Sequence, residues 1–300
     1  ANMWEEIGPE GTGTTPNYHA THVGGTVAAV SNNGTGVSGC AGGDGTTNSG
    51  VKLMSIDLLG GSLGDEQAQI YAADNGATIS QNSWGYQNAG QYNKSALDGI
   101  DYFNEHGGGD ALEGGLTIFA AGNDNDDGDW YPGYYGYGTP DTLGAMSVAS
   151  TDQDDIKSSF SNYGEWIDIS APGTDIYSTG DYEQSLFGAT YIPDSYTYMS
   201  GTSMACPHVS GLASAIISIT EGTLTNEELW QLLIDNVKDL DSDNTEYEGK
   251  LGSGRIDFSA VAGDAQTIAD SVIHRPENFA AEATSKTSIG LSWDLNGNSD

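Results

Sequence analysis

Short apolar runs alternate along the chain with longer segments in which apolar residues recur every three or four positions. The runs are almost continuously apolar, which is typical of strands buried on both faces of a parallel sheet. The longer segments have the spacing of helices that bury one face. We predict strands at residues 51–56, 77–80, 116–121, 146–149 and 167–169. We predict helices at residues 21–30, 65–75, 92–106, 204–218 and 226–237.

The alternation of strands and helices predicts the fold class. It favours an α/β fold with a mostly parallel central sheet covered by helices on both faces. A local signal supports the last of the predicted helices, because Thr225 followed by Glu228 is the pattern of a capping box.

The pattern changes near residue 270. Ile289, Leu291 and Trp293 alternate with small or polar residues, which predicts a half-buried strand. This tail resembles the first strands of a fibronectin type III module, of which it covers about a quarter. We therefore expect a main domain at residues 1–270, followed at residues 271–300 by a linker and the truncated start of such a module.

The charge of the chain limits its partners. Asp and Glu number 43 against 8 Lys and Arg, which gives a formal net charge of -35. Such a surface repels nucleic acid and anionic membranes, so we expect neither as a partner. The longest apolar stretch, residues 212–219, is too short to span a bilayer, so we expect no membrane insertion. We interpret the distant cysteines Cys40 and Cys206 as free buried thiols.

Ser203 stands in the string Met-Ser-Gly-Thr-Ser-Met-Ala-Cys-Pro-His at residues 199–208. A serine that enters a helix after a Gly-Thr turn has its hydroxyl beside free backbone N–H groups, where negative charge is favoured. An oxyanion forms in such a place during acyl transfer. We expect Pro207 in the first turn of this helix, where its missing N–H is tolerated.

A histidine at the start of a helix can act as general base for a serine hydroxyl within hydrogen-bond reach. His19 and His22 begin the string His-Ala-Thr-His-Val-Gly-Gly and share one helix face. The alternative is a metal pair with Cys206 and His208 as further ligands, but no zinc spacing matches.

Asn123 follows an apolar run that ends in Ala-Gly. An amide donor at the end of a buried strand can complete an oxyanion hole with the backbone N–H of Ser203. Taken alone, an asparagine after glycine is equally typical of a turn.

Together these three strings resemble the subtilisin family of serine proteases, the S8 subtilases. The resemblance extends over residues 17–262 and includes Ser-Trp-Gly, Tyr-Pro-Gly, Phe-Ser and Ala-Pro-Gly strings between the motifs. It implies the three-layer subtilisin-like fold. It also implies that Ser203 is the nucleophile, that His19 rather than His22 is the general base, and that Asn123 is the oxyanion donor.

The resemblance further implies two edges that pair with an extended peptide substrate. The candidates are Ser83, Trp84 and Gly85 on one edge and Ser62, Leu63 and Gly64 on the other. Trp84 is bulkier than the residue usual at its position, so we expect a changed wall in the pocket for an apolar substrate side chain.

The family order is Asp, His, Ser, with the aspartate on the first strand of the sheet. The carboxylates that precede His19 are Glu5, Glu6 and Glu10, and the first aspartate of the chain is Asp44. We therefore expect the catalytic aspartate upstream of this chain, which alone would be weakly active or inactive.

The chemistry of these groups requires no cofactor. Asp124, Asp126 and Asp129 alternate with other residues around a glycine, as the ligands of calcium loops do, and the family resemblance adds weight to a structural calcium ion. A solvated acidic loop on an acidic protein is the simpler interpretation, because the run does not show a fixed ligand count.

The sequence therefore predicts a secreted, monomeric serine endopeptidase that acts on protein or peptide substrates through an acyl-enzyme. In one alternative, an α/β-hydrolase, His274 would be the base for Ser203. The second glycine of its nucleophile elbow is missing, however, and the His19 string would have no role. In the other, a catalytically degenerate subtilase would only grip extended peptides by strand addition.

Overall fold

The computed structural model describes residues 18–46, 49–56, 58, 64–139, 141–185, 188–271, 277–285 and 288–294. The strands are β1 (Ile79–Asn82), β2 (Leu116–Ala120), β3 (Met146–Thr151), β4 (Ile169–Pro172), β5 (Ile176–Ser185), β6 (Gly188–Met199), β7 (Val237–Lys238), β8 (Arg255–Ile256), β9 (Glu277–Ser285) and β10 (Ser288–Asp294). The helices are α1 (Tyr18–Ala28), α2 (Asp65–Asp74), α3 (Lys94–His106), α4 (Thr202–Ile219), α5 (Asn226–Asp235) and α6 (Phe258–Ser271).

The central sheet confirms the predicted fold class. Its order in the described part is β1-β2-β3-β4-β8-β7, in which only β7 runs antiparallel to its neighbour. Successive side chains of β2 point to opposite faces. Ile118 packs with the residues of α4, whereas Phe119 packs with Leu97 and Ile100 of α3. Helices therefore cover both faces of the sheet.

Helix α4 is the core helix of the molecule. It contacts β1, β2, β3 and β4, and it carries Val209, Leu212 and Ile216, whose side chains are buried. Among the described residues it alone is long and apolar enough to cross a membrane, but 67% of it is buried inside the fold, as in the core helix of a soluble domain. Its Cys206 is buried and free, which confirms that prediction, while the free Cys40 is only partly buried.

Most predicted elements lie within about two residues of the observed ones. The capping box is present, because the Thr225 hydroxyl accepts from the Glu228 N–H and the Glu228 carboxylate accepts from the Thr225 N–H. The strand predicted at residues 51–56 is wrong: this segment has no ladder partner among the described residues, and Leu53 and Met54 are exposed. An apolar run indicates a tendency to be buried, but a strand also needs a neighbour to receive its hydrogen bonds.

Six elements were not predicted, namely β5, β6, β7, β8, α6 and β9, whereas β10 contains the strand predicted around residues 289–293. Strands β5 and β6 form an antiparallel hairpin outside the central sheet, and the hairpin rests on α1. The Ser178 hydroxyl donates to the His22 carbonyl at 2.8 Å, and the Thr179 hydroxyl donates to the Thr21 carbonyl at 2.8 Å. Helix α6 ends at Ser271, next to the predicted boundary at residue 270, and β9 pairs with β10 in a separate hairpin. The division into a main domain and a fibronectin-like module stays a prediction.

Candidate active site

Ser203 is the second residue of α4 and lies at its N-terminal end. The turn before it is extended at Gly201, whose N–H donates to the Gly173 carbonyl at 2.8 Å. The hydroxyl of Ser203 is 3.4 Å from the Ser83 carbonyl oxygen. The nucleophile candidate is therefore at the positive end of a helix, where a developing negative charge is stabilised.

The carbonyl of Ser203 has a partner outside its helix because Pro207 has no N–H. Pro207 is the sixth residue of α4 and so lies in the second turn, not in the first turn as predicted. In a regular helix the N–H of residue 207 would donate to the carbonyl of Ser203. The hydroxyl of Ser83 donates to that carbonyl instead, at 2.8 Å. This contact ties the strand that contains Ser83 to the backbone of the nucleophile candidate.

The side chain of Asn123 is anchored by Thr202, which the sequence analysis did not single out. The Asn123 Oδ1 accepts from the Thr202 N–H at 2.8 Å and from the Thr202 hydroxyl at 3.0 Å. Both partners donate to the same atom, so the orientation of the amide is determined by its hydrogen bonds. The N–H groups of Asn123 Nδ2 therefore face away from Thr202.

Two nitrogen donors border one point beside Gly201. A methyl group built on Gly201 would lie 3.6 Å from Asn123 Nδ2, 3.7 Å from Asn123 Oδ1 and 3.7 Å from the backbone nitrogen of Ser203, and the Oδ1 atom is already engaged by Thr202. Because Gly201 has no side chain, these two nitrogens border a shared space beside residue 201. Two nitrogen donors that border one point are the pair of groups that an oxyanion hole needs for acyl transfer.

His19 lies in the first turn of α1, and α1 packs against α4. Burial lowers the pKa of His19 below its usual value of 6.5. Burial also lowers the pKa of His22, with smaller contributions from the charges of His19 and of His208 in α4. A lowered pKa keeps His19 neutral at pH 7, and the neutral imidazole is the form that can accept a proton from a hydroxyl.

His22 has a structural role in the fold. Its ring is fully buried, and its Nε2 donates to the carbonyls of Ile176 at 2.9 Å and Thr197 at 3.2 Å. It thereby fastens the β5–β6 hairpin to α1. Within the described part of the chain no three His, Cys, Asp or Glu side chains form a group that could hold a metal ion. The structure therefore gives no support to the metal pair of His19 and His22.

The buried histidines are expected to make the protein less stable in mild acid. Burial lowers the pKa of His22, so below about pH 6.5 the unfolded chain binds more protons than the folded one, and unfolding becomes more favourable. We expect the melting temperature to fall between pH 7.5 and pH 5, and to fall less in His22→Gln, whose amide keeps an N–H donor. Other titrating groups are the same in both forms. Equal slopes in the two proteins would contradict the assignment to His22.

The substrate-edge candidates are only partly described. Ser83, Trp84 and Gly85 follow β1 directly, whereas Ser62 and Leu63 lie outside the described residues. Gly64 caps α2, with its N–H donating to the Gln67 side chain at 3.0 Å. The ring of Trp84 lies edge-on to Phe119 at 5.2 Å, and its Nε1 donates to the Asn82 side chain. Trp84 thereby packs on the cluster that Phe119 forms with Leu97 and Ile100 of α3, and its role in a substrate pocket stays a prediction.

The acidic loop does not bring three carboxylates together. Asp124, Asp126 and Asp129 are described, and no three-ligand group includes them. The Asp126 carboxylate accepts from the Gly128 N–H at 2.9 Å and from the Trp130 indole at 2.8 Å. These side chains do not fit a calcium ion as they stand, and calcium binding at this loop stays an untested prediction. Glu5, Glu6, Glu10 and His274 lie outside the described residues.

Comparison with known proteins identifies the family of this chain. A sequence model of the subtilase family, Peptidase_S8, matches residues 1–254. Thermitase from Thermoactinomyces vulgaris is 36% identical over 222 residues, which are 72% of this chain and 66% of thermitase. The extracellular basic protease of Dichelobacter nodosus is 32% identical, with 81% of this chain and 38% of that protein covered. Subtilisin BL from Lederbergia lenta is 30% identical, with 82% of this chain and 77% of that protein covered.

Two solved structures share the fold. A protease from Pseudoalteromonas arctica PAMC 21717 superposes with a TM-score of 0.64 at 29% identity, over 82% of this chain and 70% of that one. The prenylagaramide maturation protease has a TM-score of 0.62 at 20% identity, over 84% of each chain, and this likeness concerns the fold alone. Across the first four curated relatives the chain spans between 38% and 66% of their length. The match over residues 1–254 shows that the chain belongs to the subtilase family.

Proposed function

We propose that this protein is a serine endopeptidase that hydrolyses peptide bonds through an acyl-enzyme on Ser203. One observation carries the proposal: Asn123 Nδ2 and the Ser203 backbone nitrogen border the same point beside Gly201. A metal pair or a plain helix cap would not require a second, anchored amide donor at that place. Acyl transfer requires it, because the carbonyl oxygen of the substrate gains negative charge when the hydroxyl attacks.

The proposed steps use three side chains. Neutral His19 takes the proton from the Ser203 hydroxyl as its oxygen attacks the peptide carbonyl. The oxyanion accepts hydrogen bonds from Asn123 and from the Ser203 N–H. The imidazolium then gives its proton to the leaving amine, and a water molecule hydrolyses the ester by the same route in reverse. The strand segment at Ser83, Trp84 and Gly85 would pair with the extended substrate.

The aspartate that orients the general base is proposed to lie upstream of residue 1. Such a carboxylate holds the imidazole in the productive tautomer and stabilises the imidazolium. In subtilisin itself, removal of this aspartate alone lowers kcat by about 3 × 10⁴. We therefore propose that residues 1–300 alone are weakly active or inactive and that a form extended at the N-terminus is active.

The substrates and location follow from the relatives. Two of them are named as extracellular proteases. The formal net charge of -35 agrees with a soluble protein that has no affinity for nucleic acid. We propose a secreted monomer of broad specificity that acts on protein or peptide substrates.

Fluorophosphonate labelling tests the function. We expect the N-terminally extended form to label strongly, Ser203→Ala to abolish labelling, and His19→Ala to slow it severely. Residues 1–300 alone should label weakly. Peptide hydrolysis by residues 1–300 at the rate of ordinary subtilases would refute the role assigned to an upstream aspartate. If neither form labels, a degenerate subtilase that only grips peptides becomes the better interpretation.

A further inference from the structure

The side chain of Asn162 holds the loop on both sides of Asn123. Its Oδ1 accepts from the Asp124 N–H at 2.8 Å and from the Asp126 N–H at 3.2 Å. Its Nδ2 donates to the Ala121 carbonyl at 2.9 Å. The side chain is fully buried and its hydrogen bonds reach residues before and after Asn123 but not Asn123 itself.

The backbone of this loop also approaches Asn162 closely. The Asn162 N–H donates to the Gly122 carbonyl at 3.0 Å. Gly122 has φ +103, a backbone conformation that favours glycine. A methyl group built on it would lie 2.4 Å from Asn162 Nδ2, so a larger residue at position 122 would displace the Asn162 side chain. Glycine at position 122, directly before Asn123, therefore leaves the room that the Asn162 side chain occupies.

Lys157 fastens the turn from which Asn162 reaches the loop. Its ammonium donates to the Asn125 side chain at 2.8 Å and to the carbonyls of Ser158 at 3.0 Å and Ser161 at 2.9 Å. The side chain is only 6% exposed and lies over the ring of Tyr247 at 4.6 Å. A buried ammonium needs such partners because it has left water. Lys157 therefore joins the loop and the turn into one unit.

We propose that Asn162 is a positioning residue for the oxyanion hole: it fixes the backbone of residues 121–126 so that the amide of Asn123 faces the shared point beside Gly201. This inference rests on the proposed function. The Asn123 side chain is anchored at Oδ1 by Thr202, but a side-chain amide can hold its direction only if its own backbone is also fixed. Misplacement of a catalytic group by about 1 Å can lower a rate by about 10²-fold.

The first test is steady-state kinetics of Asn162→Ala in the form that labels with fluorophosphonate. We expect kcat to fall by about 10-fold to 10²-fold with KM nearly unchanged, because the oxyanion contact is made in the transition state and not in the bound substrate. Asn162→Asp keeps the shape and the two accepted hydrogen bonds but sets a carboxylate oxygen against the Ala121 carbonyl, so it should release residue 121 and also lower kcat. If Asn162→Ala does not fold, kcat of Asn162→Asp is compared with kcat of the unmutated form, and an unchanged kcat would overturn the proposal.

A matched control separates positioning from stability. Asn104 is also a buried asparagine; its amide donates to the Gly144 carbonyl at 2.6 Å and accepts from the Thr117 hydroxyl at 2.8 Å. It lies in α3 and makes no hydrogen bond to the Asn123 loop. Asn104→Ala should lower the melting temperature and leave kcat of the folded enzyme unchanged. A similar loss of kcat in both variants would overturn the proposal.

A double-mutant cycle gives the decisive readout. If Asn162 acts through Asn123, then adding Asn162→Ala to Asn123→Ala should not lower kcat further. Multiplicative losses in the double variant, or an unchanged kcat in Asn162→Ala when the parent is active, would overturn the positioning role and leave the proposed function standing. Absence of Ser203-dependent turnover in the parent would overturn both.

Discussion

Ser203→Ala and His19→Ala are each expected to lower kcat by about 10⁶-fold in the form that labels with fluorophosphonate, and the double variant should lower it no further. The size of the loss is the one known for the nucleophile and base of subtilisin itself. It arises because the hydroxyl is a poor nucleophile without a base, and the base has no substrate to activate without the hydroxyl. The residual rate comes from the oxyanion hole and from substrate binding.

Peptide hydrolysis by the three variants, measured beside the parent, checks this result. His22→Gln is the matched control, because His22 lies one turn further along α1 and its ring bonds to the β5–β6 hairpin. It should keep kcat and lose only stability. If His22→Gln lost as much kcat as His19→Ala, the assignment of the base would be wrong. If the losses of the single variants multiplied, the two residues would act independently.

Features encoded within one short segment could be predicted from the sequence. The capping box of α5 is an example, because Thr225 and Glu228 are three residues apart and their contact forms whenever the helix does. Ser203 at the start of α4 is another, since the Gly-Thr turn and the small helix residues that follow it are contiguous. Local patterns of this kind need no knowledge of the rest of the fold.

Contacts between distant segments could not be predicted in this way. The hydrogen bonds of Asn162 to the Asn123 loop join residues 36 to 41 positions apart. In the sequence, Asn162 is one of several polar residues in a turn, and nothing distinguishes it from a solvated one. The false strand at residues 51–56 has the same cause, because the apolar pattern does not say which neighbour would pair with it.

The chemistry of Ser203 also depends on such a long-range contact. The sequence predicts Pro207 in the first turn, where no carbonyl would lack a donor, so it does not show that the Ser203 carbonyl needs a partner from elsewhere in the fold. The structure supplies the hydroxyl of Ser83, which follows β1 and is itself bonded to the Gln81 amide at 2.7 Å. This hydrogen bond, together with the 3.4 Å approach of the Ser203 hydroxyl to the Ser83 carbonyl oxygen, joins the substrate-edge candidate to the nucleophile candidate.

Asn123→Ala is expected to lower kcat by about 10²-fold to 10³-fold, which is the scale known for the oxyanion asparagine of subtilisin itself. The reason is the loss of the Nδ2 donor that borders the point beside Gly201. The same change also removes the acceptor for the Thr202 N–H and hydroxyl at the start of α4. Leaving these groups unpaired should destabilise the fold by about 1–3 kcal/mol.

Asn123→Asp separates the two effects of that change. Its carboxylate can still accept from Thr202, so the melting temperature should stay close to that of the parent. It has no N–H donor and adds negative charge beside the oxyanion, so kcat should fall at least as far as in Asn123→Ala. Steady-state kinetics and thermal unfolding of both variants check the prediction. A folded Asn123→Asp variant that kept its kcat would show that Asn123 only caps α4, and that the oxyanion relies on the Ser203 N–H and the helix dipole.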